Sequence, residues 1–444
     1  MASDLIAIAR SGTRAARAAL DVTAQNIANA STEGYVRRSV SLSEVSGTSN
    51  GAAGNISLSG VRVSGVARNA DAFRQAEVRR TGSDAARASA EVQGLENIES
   101  SVEQSGLYDA SVAFEGSLQK LASDPTDSAL RASTLESART LAKTFNVTAG
   151  SLKSAGDGLR FEADAGVSQV NTLAGELAKV NARLSRSADA SSDQTMLLDQ
   201  RDDLLTKLSA QVDVTTVFSS DKTVEVRLGG STGPQLVSGN KAGTLAMNTA
   251  ADGTLSFKLD GTAVTPASGA IAGKNQALVQ LAQTSKGIDA IAAKVAATVN
   301  AAQANGVDLD GASGQPIFSG ATAADIQVVA TNGSKIATAP AGAAAKSRDA
   351  TNLSALRTAL STANPSGDID GAIFDVSSAV SGRKVTRDAL TAIADNASLS
   401  LQSQAGVDLD QEAVNLVRYQ QAFQASGRVM QVANDLFDTL LGIR

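Results

Sequence analysis

The sequence contains neither cysteine nor histidine, and tryptophan is also absent from its 444 residues. Without cysteine there can be no disulfide, no thiolate nucleophile and no thiolate metal site. The absence of histidine removes the commonest general base and the commonest transition-metal ligand. Because none of the remaining polar motifs forms a convergent site either, we predict a non-enzymatic protein, with no catalytic residues, no cofactor and no metal site.

Positive charge and long apolar runs are scarce as well. The net charge is −6 and the pI is near 5.0, so no basic stripe is present to neutralise phosphates, and we predict no nucleic-acid partner. No run of 18 uncharged apolar residues occurs, because the alanine-rich helix predicted at 287–303 contains Asp289 and Lys294; we therefore predict no membrane span. The N-terminus shows no basic segment followed by an apolar block and a cleavage site, so the residues alone predict a cytoplasmic protein without a signal peptide.

What the sequence does have is a long apolar repeat at its C-terminal end, in residues 406–444. Its start is marked by Asp408 with Gln411 three residues later, the arrangement of a capping box. Apolar residues recur at every seventh position and three positions after some of these, which is coiled-coil spacing: Leu409, Leu416, Phe423, Met430 and Phe437, with Tyr419, Ala433 and Leu440. The repeat spans about 42 Å at about 1.5 Å per residue, longer than one face of a modest domain needs, so we expect a partner helix.

The candidate partner is the N-terminal segment, residues 4–30, in which Ile6, Leu20 and Ile27 follow the same period. Ala9, Ala16 and Ala30 lie three positions after positions 6, 13 and 27 of this period and would let another helix approach closely, although Thr13 interrupts the apolar pattern. Residues 1–40 carry a net charge of +2 and residues 401–444 a net charge of −2, so the two segments are complementary in sign. Two interpretations remain open at this point: the terminal helices pair with each other, or each packs onto its own globular core.

Between the termini, the sequence predicts helices interrupted by one block of strands. Residues 41–55 are rich in serine, glycine and asparagine and are predicted to be a loop, whereas 56–66 resemble a short β-hairpin element. Residues 211–271 alternate with period two and predict a small antiparallel β domain, and a further strand is predicted at 325–330. The predicted helices cover 71–104, 109–122, 126–187, 194–210, 274–305, 351–364 and 368–404.

Two acidic motifs have simple interpretations. Asp202 and Asp203 are neighbours on a helix, where adjacent side chains point about 100° apart, so they are predicted to be a solvated face. The sequence Gly-Val-Asp-Leu-Asp occurs at 306–310 and again at 406–410. The first copy is followed by Gly311, as in a calcium-binding loop, but the third ligand before the glycine and the distal glutamate of such a loop are missing. A turn and a helix cap explain the two copies better.

The predicted fold is mainly α with a β insert, containing paired N- and C-terminal coiled-coil helices, a central helical domain and an inserted small antiparallel β domain. The corresponding domains are residues 1–40 plus 401–444 for the terminal coiled coil, 41–210 plus 272–400 for the helical domain with short β-hairpin elements, and 211–271 for the β insert.

The stretch 24–40, AQNIANASTEGYVRRSV, resembles the N-terminal signature of bacterial flagellar axial proteins, the family of rod, hook and hook-associated proteins. The matching residues are Asn26, Ala28, Asn29, Thr32, Gly34 and Tyr35. Within that family, the segments 60–73, 197–214 and 415–444 resemble the hook-associated proteins of the hook-to-filament junction, through Leu198, Asp199, Arg201 and Asp202 among others.

This resemblance implies a structural subunit that assembles with copies of itself in a ring or helix at the junction. It implies partners as well: the hook protein, the second junction protein, and an export chaperone on the C-terminal helix. It further implies an extracellular location in the flagellum, reached through the flagellar secretion apparatus without a cleaved signal peptide. The alternatives are a hook protein or another axial subunit and, from a different class, a cytoplasmic coiled-coil signalling protein.

Overall fold

The computed structural model describes residues 2–32, 34–46 and 58–442, and most of these residues are helical. The helices are α1 (Ala2–Ala28), α2 (Ala72–Glu103), α3 (Leu107–Ser123), α4 (Ser128–Leu184), α5 (Ser192–Gln211), α6 (Ala270–Ala304), α7 (Thr351–Ala363), α8 (Pro365–Ala405) and α9 (Leu409–Gly442). Each predicted helix is present with ends within a few residues of the prediction. Asp408 accepts hydrogen bonds from the main-chain N–H groups of Asp410 and Gln411, so the predicted cap of α9 is confirmed.

The strands form small antiparallel sheets. A hairpin pairs β1 (Arg38–Ser46) with β2 (Leu58–Arg68). Residues 214–242 form a four-stranded sheet in the order β3-β4-β5-β6, and residues 245–264 form a three-stranded sheet in the order β7-β8-β9. The strands are β3 (Val214–Phe218), β4 (Val224–Leu228), β5 (Gln235–Ser238), β6 (Lys241–Ala242), β7 (Leu245–Thr249), β8 (Leu255–Leu259) and β9 (Thr262–Val264); two-residue strands follow at β10 (Gly306–Val307), β11 (Phe318–Ser319), β12 (Gln327–Val328) and β13 (Ala339–Pro340).

Two predictions about strands need correction. Residues 41–46 are part of β1 and not of a loop, because their main chain pairs with β2 across the hairpin. The rest of the predicted loop, residues 47–55, lies outside the described residues. The strand predicted at 325–330 is reduced to Gln327–Val328. The β insert is present, as two sheets.

One compact unit of the chain comprises Asp84–Ser168 and Ala246–Leu390. Its core is apolar and contains Phe114 and Phe318, whose rings meet edge to face 6.0 Å apart. Arg131 is a buried cation in this unit: it is 1% exposed, and no carboxylate is among its hydrogen-bond partners. Its guanidinium donates instead to the main-chain oxygens of Pro125, Gly333, Ser334 and Ile336 and to the Thr338 hydroxyl.

In the same unit, the first copy of Gly-Val-Asp-Leu-Asp forms a turn. The Asp308 carboxylate accepts hydrogen bonds from the N–H groups of Asp310 and Ala312, and its other oxygen lies 3.0 Å from Lys335 Nζ. Together with the cap at Asp408, this confirms the interpretation of the two copies as a turn and a helix cap.

The other compact unit comprises Met1–Ser83, Gln169–Leu245 and Thr391–Arg444. The four-stranded sheet is joined to α4 by Asn181, whose side chain donates to the main-chain oxygens of Val224 and Gly239 and accepts from Val224 N–H. The hairpin approaches two other elements closely. Gly60 (φ +92°) lies against Ser11 of α1, and Gly65 lies so near Ala190 that a Cβ would collide with it.

The predicted fold class is confirmed: long terminal helices, a helical centre and small antiparallel sheets. The independence of the three predicted domains as folding units remains a prediction.

Candidate assembly interface

The terminal helices α1 and α9 pack against each other and run antiparallel. Gly12, near the middle of α1, approaches Ser426 of α9 so closely that a Cβ would lie 2.8 Å from the serine hydroxyl. At the other end, Arg37, the residue before β1, lies 2.7 Å from Glu412 in the first turn of α9. Of the two interpretations left open by the sequence, pairing of the termini is therefore the one observed.

Small and polar side chains fill the contact between the two helices. On α1 the buried residues include Ala9, Ala16 and Ala19, which explains how the helices come so close. On α9 the buried side chains are those of Glu412, Asn415 and Ala433, within the part of that helix whose side chains are described. The pair is thus held by close helix approach and ion pairing, with little burial of large apolar groups.

The large apolar residues of the predicted repeat lie beside this contact. On α1, Leu20 follows buried Ala19 and Ile27 follows buried Asn26; on α9, Leu416 follows buried Asn415. Each step of one residue turns about 100° around a helix, and in an antiparallel pair the same step on both helices leads to the same side. The residues on this side form what we call the open groove: Ile6, Leu20, Ile27, Leu409, Leu416 and Phe423.

The open groove is incompletely covered within one chain. Leu409 is 54% exposed and Phe423 is 40% exposed, while Ile6, Leu20 and Leu416 are half-buried. Tyr419 and Met430 are also half-buried. Phe437 is 47% exposed, because the antiparallel register places it level with the very start of α1. The side chain of Leu440 lies outside the described residues.

A network of arginines and aspartates connects the hairpin with α5. Arg38 Nη2 lies 2.6 Å from Asp199 Oδ2, and Arg68 lies 2.8 Å from both Asp199 and Asp202. Asp202 also accepts two hydrogen bonds from Arg201 and one from Gln75. The prediction that Asp202 lies on a solvated face is therefore wrong, because arginines distant in sequence surround it. Asp203 is partly exposed and pairs with Lys207 at 2.7 Å.

The end of α1 is tied to the same network. Asn26 accepts hydrogen bonds from the Arg38 N–H and the Tyr35 hydroxyl and donates to the Arg38 carbonyl. The Arg38 guanidinium lies 5.0 Å from the centre of the Tyr35 ring. Five of the ten residues named for the family resemblance thus meet in one place: Asn26, Tyr35, Asp199, Arg201 and Asp202. The other five lie outside these contacts: Ala28, Asn29, Thr32, Gly34 (φ +76°) and Leu198.

Sequence reasoning did not assign Arg37, Arg38, Arg68 or Gln75 to this site. Once the pairing of β1 with β2 is known, the sequence does indicate that carboxylates should lie near this hairpin. Arg38 and Arg68 are direct partners in the β1–β2 register, and like charges opposite each other in a sheet are destabilising unless carboxylates lie nearby.

Burial and ion pairing act against each other on the pKa values of the two aspartates. Burial would raise the pKa of Asp202, but the charges of Arg201 and Arg68 outweigh it, so this pKa lies below the usual 3.8. For Asp199, burial prevails over Arg68 and Arg38, and its pKa is raised. Burial likewise raises the pKa of Tyr35. Because its pKa is lowered, Asp202 is ionised at neutral pH.

Among the residues that the structure describes, no group of three or more acidic side chains is arranged to hold a metal ion. None of the helices in the described ranges is both long enough and apolar enough to cross a bilayer.

The comparison with known protein families concerns both the centre and the ends of the chain. The model of the flagellar hook-associated protein FlgK helical domain matches residues 92–318, about half of the chain. The chain belongs to this family. It is a structural subunit of the bacterial flagellum, of the kind found at the junction of hook and filament. The model of the flagella basal body rod protein matches 6–35, which includes most of α1, and the model of the flagellar basal body rod FlgEFG protein C-terminal matches 401–443, which includes all of α9.

Relatives match along the whole chain. Flagellar hook-associated protein 1 of Salmonella typhimurium is 28% identical, with all of both chains covered. That of Escherichia coli is 26% identical with the same coverage, and that of Bacillus subtilis is 26% identical over 98% of this chain and 96% of its own. A solved structure, the flagellar hook junction protein FlgK from Burkholderia pseudomallei, is similar with a TM-score of 0.48 and 24% identity, over 55% of this chain and 46% of that one.

Members of this family are flagellar axial components, so the chain is part of the extracellular flagellum and assembles with other hook and rod components.

Proposed function

We propose that this subunit acts as an adaptor that associates with copies of itself between hook and filament, and that the open groove on the α1–α9 pair is a contact in that assembly. The observation that carries the proposal is the exposure of the predicted apolar repeat. In an isolated chain the seventh-position residues of α9 have no complete partner, although their spacing is that of a helix contact.

The energetics favour association. Burying the exposed half of a leucine or phenylalanine side chain contributes about 1 kcal/mol, and the open groove offers several such side chains on one face. The gain is repeated in every copy of an assembly. The match of the rod-protein models to the segments that contain most of α1 and all of α9 supports a role for these two helices in assembly.

The remaining parts of the proposal come from membership of the family. The adaptor contacts the hook protein on one side and the second junction protein on the other, and an export chaperone binds its C-terminal helix before assembly. It leaves the cell through the flagellar secretion apparatus without a cleaved signal peptide. Its role is structural, without catalysis.

The test is the substitution Phe423→Asp in the open groove, in cells with no other copy of the chain. Phe423 is 40% exposed, so the isolated variant should lose only about 1–2 kcal/mol of stability. A carboxylate in a contact that becomes dry on assembly is far more costly. We expect a folded variant that fails to build the junction, with bare hooks and flagellin released into the medium.

Gln424→Asp is the matched control, because Gln424 is the next residue along α9, is exposed, and points away from the groove. This variant should retain attached filaments. Normal filament attachment in the Phe423→Asp cells would show that the open groove is not an assembly contact.

A further inference from the structure

A second apolar surface lies on the opposite side of α9. It consists of Val414, Ala425, Val429, Val432 and Leu436, which we call the valine stripe. Val414 is 63% exposed and Val432 is 57% exposed, and each residue of the stripe is exposed to solvent. Their spacing of eleven, four, three and four residues keeps them on one face of a helix.

The position of the valine stripe follows from its neighbours. Val414 precedes buried Asn415 and Val432 precedes buried Ala433, whereas the groove residue Leu416 follows Asn415. Each residue turns the helix by about 100°, so a residue before a buried one and a residue after it point to different sides. The valine stripe and the open groove therefore lie on roughly opposite sides of α9. One helix therefore presents an apolar groove to one side and an apolar ridge to the other.

Unpaired charges accompany the two surfaces. Arg10, Arg14 and Arg17 form an exposed row on α1, with no ion pair to any side chain that the structure describes. On α9, Asp410 and Asp435 are exposed and likewise form no ion pair within the described ranges. Opposite signs on the two helices favour a contact between the α1 side of one copy and the α9 side of another.

We propose that the valine stripe of one copy docks into the open groove of a second copy, so that the terminal helices assemble head to tail. This inference rests on the proposed function and specifies which surfaces meet. A contact between two different patches of the same chain generates a ring or an open helix, whereas a contact of a patch with itself ends at a dimer. The placement of two unlike apolar surfaces on opposite sides of α9 is what the first kind of contact requires.

Engineered cysteines can test the pairing cleanly, because the chain has none of its own. Ala24→Cys places a thiol at the rim of the groove, one turn from Leu20 and Ile27. Ala425→Cys and Val432→Cys place it on the stripe. All three positions are exposed and the new side chains are similar in size to the old ones. Each stripe variant is combined with Ala24→Cys, and the flagella built by the cells are oxidised.

A head-to-tail contact should yield a covalent ladder of dimers, trimers and longer chains in at least one double variant, and no more than trace dimer in any single variant. Dimers from a single variant without a ladder would mean that like patches meet and would overturn the inference. So would the absence of any cross-link in attached flagella. If a variant builds no filament, the purified protein is oxidised at high concentration and judged by the same outcomes.

Deletion of the whole chain separates this inference from the proposed function. Filaments that stay attached without the chain would overturn the proposed function itself. Filaments lost on deletion, together with no ladder in the double variants, would overturn only the head-to-tail pairing.

Discussion

Two helices of almost equal length, α6 and α9, use their apolar residues in opposite ways. The 35 residues of α6 bury Leu278, Ile288 and Val299, together with a series of other apolar side chains along the helix. The 34 residues of α9 leave Leu409, Val414, Phe423, Val432 and Phe437 among the exposed large hydrophobic side chains. The apolar side chains of α6 are covered by other parts of the same chain, whereas many of those of α9 are not.

The difference shows what the terminal helices are adapted for. A helix that is apolar on all sides is normally a buried one. In α9, the buried side chains among those described are Glu412, Asn415 and Ala433, while apolar surface remains exposed on both flanks. We infer that α6 contributes to the stability of the single chain, and that α9 contributes to association between chains.

The largest effect should follow from placing a charge in α6. Ile288 is 1% exposed and belongs to the apolar core, so Ile288→Asp should cost more than about 4 kcal/mol and leave the chain poorly folded. Urea unfolding followed by circular dichroism measures the loss. Val279→Asp, on the same helix but 41% exposed, is the control and should cost about 1 kcal/mol or less. Comparable losses in the two variants would contradict the description of α6 as a closed helix.

An intermediate effect is expected where α9 is anchored by charge. Glu412 is buried and pairs with Arg37, so Glu412→Gln should weaken the attachment of α9 by about 2 kcal/mol. Hydrogen exchange should then become about 30-fold faster in α1 and the first turns of α9, and stay unchanged in α6.

Asp410→Asn, two residues earlier and exposed, provides the comparison for Glu412 and should leave exchange in α1 nearly as in the unaltered chain. Equal acceleration in α6 would mean that Glu412 supports the fold as a whole, and the contrast between the two helices would be lost.

The smallest effect concerns acid pH, to which the charged network should respond and the apolar core around α6 should not. The pKa of Asp202 in the folded chain lies below its usual value, so its contribution to stability is present above about pH 4 and is lost as the pH falls through the folded pKa. Asp202→Asn removes this contribution. The free energy of unfolding of the variant should therefore fall less steeply with decreasing pH between about pH 5 and pH 2.

Asp203→Asn, the neighbouring aspartate in its exposed pair with Lys207, should retain nearly the full acid dependence. Identical pH profiles for Asp202→Asn and the unaltered chain would show that Asp202 is not the group through which acid weakens this network.

Local patterns were enough to predict most of the helices. The periodicity of 126–187 predicted α4 in spite of its five glycines, and Asp408 with Gln411 predicted where α9 begins. The heptad spacing of the termini also predicted a paired helix. These features depend on residues a few positions apart, which a sequence shows directly.

Features that depend on distant residues were missed. The strand at 41–46 exists because β2 pairs with it and α1 packs against the hairpin, and its serine-rich composition gives little sign of either. Asp202 is buried because Arg68 reaches it from the hairpin. The heptad spacing predicted that the alanines of α1 would let another helix approach, but it could not show that Leu20 and Ile27 would be left partly exposed.

The buried Arg131 imposes an order on the maturation of the chain. Its guanidinium lies in the first turn of α4, whereas four of its five acceptor groups belong to residues 333–338, about two hundred positions later. A chain that emerges with its amino end first presents the cation long before the oxygen atoms that will surround it. Until residue 338 is available, this arginine must remain in water, and a buried cation without acceptors is too costly for the surrounding core to close. A polypeptide that stops short of these acceptors should therefore leave the core around α4 unfolded. Folding of this core should begin only after residues 333–338 have been synthesised.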